Sequence, residues 1–94
     1  MNTYELVLII NPSVSDEEQK KIVAKVEKMV GEQKGKVSST EEWGKKKLAY
    51  EIKKFSEGYY SLLKLQLESE VATKLQTSLK MEERIIRSLL IKVS

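Results

Sequence analysis

Between residues 3 and 10 the apolar side chains crowd together. Tyr4, Leu6, Leu8 and Ile10 take one parity, while Val7 and Ile9 take the other. Successive side chains of a strand point to opposite faces, so this stretch predicts a strand that is apolar on both sides, as central strands are. Asn11 and Pro12 end it, because proline donates no ladder hydrogen bond and restrains the residue before it. The period then changes from two to that of a helix. Ser15 as a cap with Glu18 three residues on matches a capping box, and Asp16 and Glu17 suit the positive end of a helix dipole. Ile22, Val23, Val26, Met29 and Val30 follow as one buried stripe, and Gly35 is placed to stop the helix.

Residues 36–52 read as one long strand that changes character halfway. Leu48, Tyr50 and Ile52 alternate and are expected to point into a core, whereas Trp43 sits on the opposite parity. Gly44 lies between the two registers, which predicts a bulge or sharp bend. Residues 53–58 predict a turn, polar apart from Phe55 and ending in Gly58. Residues 59–67 form the next strand, with Leu63, Leu65 and Leu67 on one face and Tyr60 and Leu62 on the other. Ser69 and Glu70 open a shorter helix whose stripe is Val71, Leu75 and Leu79. After a charged loop at 80–83, residues 84–93 close as a strand, with Leu89, Ile91 and Val93 set against Ile86, Ser88 and Leu90.

Strand, helix, strand, strand, helix, strand is the split βαβ order, which predicts an α+β ferredoxin-like fold: a four-stranded antiparallel sheet with both helices on one face. Residues 1–94 are expected to form one domain, since a chain of 94 residues holds one core. If the helices cover Leu6, Leu8, Leu63 and Leu65, then Val7, Ile9, Tyr60, Leu62, Ile86 and Leu90 are expected on the open face. An apolar patch of that kind on a small domain marks a partner site, unless it is the ordinary share of exposed apolar surface. Tyr4 and Tyr50 are assigned to the core.

Composition narrows the chemistry. Cysteine and histidine are both absent, which removes disulfides, thiol chemistry, the usual zinc sites and the Ser/His and Cys/His nucleophile pairs. Asp16, Glu17 and Glu18 cluster, but a helix start accounts for them, and neither a metal nor another cofactor is expected. The longest apolar run is too short to cross a bilayer and no basic-then-apolar leader opens the chain, so the reading is soluble and cytoplasmic, with no membrane partner. A net charge of +3 favours nucleic acid only weakly, but its placement matters more.

Lys45, Lys46 and Lys47 follow the predicted bend directly, with Lys53 and Lys54 close behind. Three adjacent charges neutralise phosphates with salt-sensitive, sequence-independent affinity; equally, lysines on an edge strand keep other chains from pairing with it. Arg84 and Arg87 extend the basic surface or are simply solvated. Trp43 and Tyr60 offer rings for stacking on single-stranded bases, although a tryptophan beside a glycine bend is more often a packing plug, and the paired aromatics of the RNA-recognition motif are missing. No constellation suggests catalysis. An acylphosphatase-like domain shares this fold and size, but that family needs an arginine in the loop after the first strand, where Asn11-Pro12-Ser13-Val14 stands.

Tyr4-Glu5, Asn11-Pro12, Gly44 leading through basic residues into Leu48-Ala49-Tyr50 and Ile52, then Gly58-Tyr59-Tyr60 together resemble the bacterial small-subunit ribosomal protein six family, over nearly the whole chain. The resemblance implies a non-enzymatic protein of the 30S subunit that binds the central domain of 16S ribosomal RNA as a heterodimer with ribosomal protein eighteen of the same subunit. It places the family's basic positions on Lys46 and Lys47, with Lys45 adjacent, and on Arg87. Partner binding is assigned to Val7, Ile9, Tyr60, Leu62 and Leu90. Two features depart from the family pattern. Asn2 and Thr3 stand where many members carry basic residues, and the sequence ends at Ser94, where many continue into a tail that reaches toward the partner. A non-ribosomal homodimer that self-associates through the open face is the alternative.

Overall fold

The structure, a computed structural model, describes residues 2–93; Met1 and Ser94, the ends of the predicted domain, lie outside the described residues. Its elements follow the predicted order: β1 (Asn2–Ile10), α1 (Asp16–Glu32), β2 (Lys36–Ile52), β3 (Phe55–Leu67), α2 (Ser69–Lys80) and β4 (Ile85–Lys92). The strands pair in the order β2-β3-β1-β4, all antiparallel, so β1 is central as its two apolar faces require.

The core lies between the sheet and the two helices. Leu6, Leu8 and Ile10 of β1 and Leu63, Leu65 and Leu67 of β3 are fully buried there, against Ile22, Val26 and Val30 of α1 and Leu75 and Leu79 of α2. Each such side chain stabilises the fold by roughly 1.5–3 kcal/mol. Ser61 interrupts this apolar floor, and Gln19 of α1 satisfies it by donating from Nε2 to Ser61 Oγ at 3.2 Å.

Ser15 caps α1 as expected, its hydroxyl accepting the Glu18 N–H at 3.1 Å. The other end closes differently from the sequence reading. Gly35 N–H bonds to Val30 O at 2.9 Å and Lys34 N–H to Gly31 O at 3.1 Å, the paired bonds of a Schellman motif. Lys34, with φ 63°, takes the left-handed position usually given to glycine. Gly35 is needed for space: a Cβ there would lie 2.3 Å from Leu67 Cδ2 and 2.9 Å from the Gln66 carbonyl oxygen.

The predicted turn at 53–58 is shorter than expected. Ile52 pairs with Phe55, so Lys53 and Lys54 alone make the connection. Both have positive φ, 49° and 72°, as a two-residue hairpin turn of this hand demands, although Asn-Gly suits it better than Lys-Lys.

Glu82 fastens the segment before β4. Arg84 binds its carboxylate from Nε at 2.9 Å and Nη2 at 3.1 Å, and Lys25 of α1 reaches it at 3.1 Å. Hydrogen bonding from Arg84, assisted by Lys25, lowers the Glu82 pKa from 4.5 to about 2. A depressed carboxyl contributes stability above its unfolded pKa, and that contribution is lost as pH falls through the folded value. Glu82→Gln is therefore expected to lose about 1 kcal/mol at neutral pH, a small figure because both cations face solvent. The difference from the parent should shrink between pH 4.5 and about 2, which urea melts across that window will measure.

Candidate functional site

Interstrand pairing fixes which side chains share the sheet face away from the helices. Glu42 pairs with Ser61 and Gly44 with Tyr60, so Trp43 is an extra residue and β2 bulges at the expected place, with Gly44 at φ 78°. Tyr60 pairs with Ile9, and Ile9 with Arg87. One row therefore crosses the whole sheet, from Trp43 and Gly44 through Tyr60 and Ile9 to Arg87. At about 4.8 Å between strands, its ends lie roughly 14 Å apart. The next row runs from Glu41 through Leu62 and Val7 to Leu89, and the one beyond it from Ser39 through Lys64 and Glu5 to Ile91.

A second bulge changes the expected membership of this face. Ile10 pairs with Ile85 and Ile9 with Arg87, so Ile86 is the extra residue and every later side chain of β4 switches sides. Leu90, expected on the open face, instead opposes Leu6 and packs against the helix-covered core. Leu89 and Ile91 take its place, 44% and 45% exposed. Ile86 is buried, and the Cβ that Gly58 lacks would approach both its Cδ1 and Ile9 Cγ2.

The far end of the β2–β3 hairpin does not enter the main core. It folds across the open face, where Leu48, Ala49, Tyr50 and Ile52 meet Val7, Ile9, Tyr60, Arg87 and Leu89 around a cleft of about 150 Å³. Leu48 and Ile52 are half-buried in this contact. Tyr50, assigned to the core by its parity, is 63% exposed, and its hydroxyl accepts from Arg87 Nη1 at 2.7 Å. A hydrogen bond thus joins the β2 arm to β4 across the two intervening strands. Tyr4 is buried as expected.

The three lysines are all exposed, but the strand separates them. Lys45 pairs with Tyr59 on the helix side, its Nζ 5.2 Å from that ring centroid. Lys47 opposes Glu57 on the same side. Tyr59 donates its hydroxyl to Asp16 Oδ1 at 3.0 Å, and this bond to a carboxylate raises the phenol pKa. Acidic groups therefore stand near both helix-side lysines. Lys46 points the other way, its Nζ 5.3 Å from the Trp43 ring centroid. Trp43 in turn stacks on Tyr60, with centroids 6.4 Å apart and planes 14° apart. Arg84, engaged by Glu82, lies outside this cluster.

The open face thus combines an apolar centre (Val7, Leu62, Leu89 and Ile91), an aromatic pair, and three cations, Lys46, Arg87 and Lys64, the last directly opposite Glu5. Among the described residues no group of acidic side chains is arranged to hold a metal, and no helix is long and apolar enough to cross a membrane. The pairing Tyr50–Arg87 and the exposure of Leu89 and Ile91 escaped sequence reasoning. The adjacent Ile85 and Ile86, both buried, were the one visible sign that alternation breaks there.

Comparison with known proteins agrees with this architecture. Residues 3–92 match the family model for ribosomal protein S6. The chain is 36% identical over 92 residues to the small ribosomal subunit protein bS6 of Thermoanaerobacter pseudethanolicus, covering 98% of this chain and 97% of that protein. It is 37% identical over 90 residues to bS6 of Moorella thermoacetica, covering 96% and 92%. The crystal structure of 30S ribosomal protein S6 from Thermotoga maritima superposes with a TM-score of 0.93 at 34% identity, covering 98% of this chain and 87% of that one. A family match across nearly every residue, together with the same fold in a relative of known structure, makes this chain a member of the ribosomal protein S6 family, a structural protein of the small ribosomal subunit.

Proposed function

We propose that the chain binds the central domain of 16S ribosomal RNA together with ribosomal protein eighteen of the same subunit, as a heterodimer that supports subunit assembly. The observation that carries this reading is the open sheet face, where an apolar row through Leu62, Val7 and Leu89 lies beside Lys46 and Arg87. The apolar row, with Ile9 and Tyr60 at its margin, takes the protein partner. Leu90 has no part in it, because it faces the helices.

The cations take the RNA. β2 is an edge strand, so a phosphate backbone running along it reaches Lys46 on one side and Lys45 and Lys47 on the other. Arg87 presents the rest of its guanidinium from the opposite edge while Tyr50 holds one nitrogen.

The test is binding of the purified protein to a central-domain 16S fragment, with and without ribosomal protein eighteen, across a salt series. Tight, salt-sensitive binding that needs the partner is the expected result. Replacing Lys45, Lys46 and Lys47 together with alanine should weaken binding and lower the slope of log affinity against log salt by about 2, close to 0.7–0.9 per lost phosphate contact. An unchanged slope would remove the lysines from the interface and leave them as protection of the β2 edge.

A further inference from the structure

We infer that Trp43 is a stacking platform for one unpaired RNA base, with Lys46 on a phosphate of the same nucleotide. The inference rests on the RNA-binding reading above and adds the kind of RNA element it recognises.

Trp43 is 43% exposed, although a tryptophan that merely plugged the bend would be covered. The bulge at Gly44 turns it onto the open face, where the Tyr60 ring supports it at 6.4 Å and nearly parallel. A ring held on one side by another ring loses little freedom when a base lands on it. Every base has a π-face, so such a platform accepts an unpaired nucleotide and excludes a duplex, whose bases are already stacked.

Charge gives the nucleotide a direction. Lys46 lies 5.3 Å from the Trp43 ring centroid, on a flexible stem, in a contact weak enough at an exposed site to exchange for a phosphate. Glu41, two residues before Trp43 and in the neighbouring row with Leu62, repels phosphate from the other side. The sugar-phosphate chain therefore leaves the platform toward Lys46 and the hairpin end. A protein side chain as occupant is disfavoured, because an ammonium group already over the ring suits an incoming anion better than an apolar residue.

Trp43 is the single tryptophan of the chain, so its fluorescence reports this site alone. The experiment titrates the full chain, with ribosomal protein eighteen present, with the central-domain 16S fragment, a single-stranded oligoadenylate and an RNA duplex of equal length. Marked quenching by the first two and little by the duplex is expected. Trp43→Leu should weaken binding of the fragment roughly tenfold, within the range for loss of one stacked base, and Trp43→Phe should restore most of it. Binding of the fragment without quenching, and with Trp43→Leu unchanged, would overturn the stacking site while leaving RNA binding intact. Failure of the parent protein to bind the fragment would sink the RNA reading and this inference with it. Quenching by the partner protein alone would assign Trp43 to the protein interface instead.

Discussion

Leu62→Arg is expected to abolish heterodimer formation with ribosomal protein eighteen while leaving the isolated chain folded. Leu62 lies on the open face of β3, between Glu41 and Val7 in the row that crosses the sheet. It is half-buried in the free chain, so its replacement forfeits about 1 kcal/mol of apolar contact, and the long arginine side chain extends into water. In the proposed heterodimer the same guanidinium would be buried in an apolar interface, with Glu41, exposed at the β2 edge of its row, as its one neighbouring carboxylate. Pairing with Glu41 offsets only part of the cost of burying that charge, and the arginine also overfills the space of a leucine. The loss is therefore several kcal/mol, enough to weaken association by at least two orders of magnitude. Size-exclusion chromatography with the purified partner, beside a thermal melt of the variant alone, checks both halves. A heterodimer that survives would move the protein interface off this face. Leu90→Arg is the contrasting control: Leu90 packs under the helices, so that change should lower the melting temperature itself.

The second large effect concerns stability. Gly35→Ala is expected to destabilise the chain by about 2 kcal/mol, lowering its melting temperature by roughly 10 °C for a domain of this size. Gly35 lies three residues beyond Glu32, the end of α1, and packs against the end of β3. An added Cβ would lie 2.3 Å from Leu67 Cδ2, 2.9 Å from the Gln66 carbonyl oxygen and 2.9 Å from Val30 Cγ1. Leu67 is fully buried and has little room to turn, and the carbonyl belongs to a paired strand. The Schellman bonds that end α1 would be strained by any retreat of the backbone. Calorimetry checks this; a shift below 2 °C would mean that α1 and β3 separate more easily than their contacts imply.

Most of the architecture was legible because its signals are local. The two-sided apolar run of β1, the Ser15 cap, the stripe of α1 and the break at Gly44 each follow from a few neighbouring residues. What was hidden depends on the partner strand. The two isoleucines that open β4 read equally well with either parity, and only pairing with Ile9 and Ile10 shows that Ile86 is the extra residue. That single insertion exchanged Leu90 for Leu89 and Ile91 on the open face. Tyr50 misled for a related reason: its alternation with Leu48 and Ile52 is real, but the surface it addresses is the back of the sheet, reached because the hairpin end folds over. The split of the lysine run, by contrast, was legible: alternation alone sends Lys46 to one side and Lys45 and Lys47 to the other, as the pairing has them. The family resemblance reached further than any of these local signals, because it reads the joint spacing of residues too weak to decide anything singly.

The strand order also bears on how the chain comes into being. β1 is among the first segments made, yet one of its edges is completed only by β4, the last element. Until β4 has emerged from the ribosome that makes the chain, the backbone groups of Tyr4 to Ile10 on that side have no permanent partner, beside some of the most apolar side chains in the molecule. Pairing the ends of a chain is slow relative to local contacts, and an unpaired apolar edge invites association with other nascent chains. β1, β3 and β2 can pair without β4, but the sheet then stays open along one edge of β1. Its sheet is complete only after a step that joins the first of the described strands to the last.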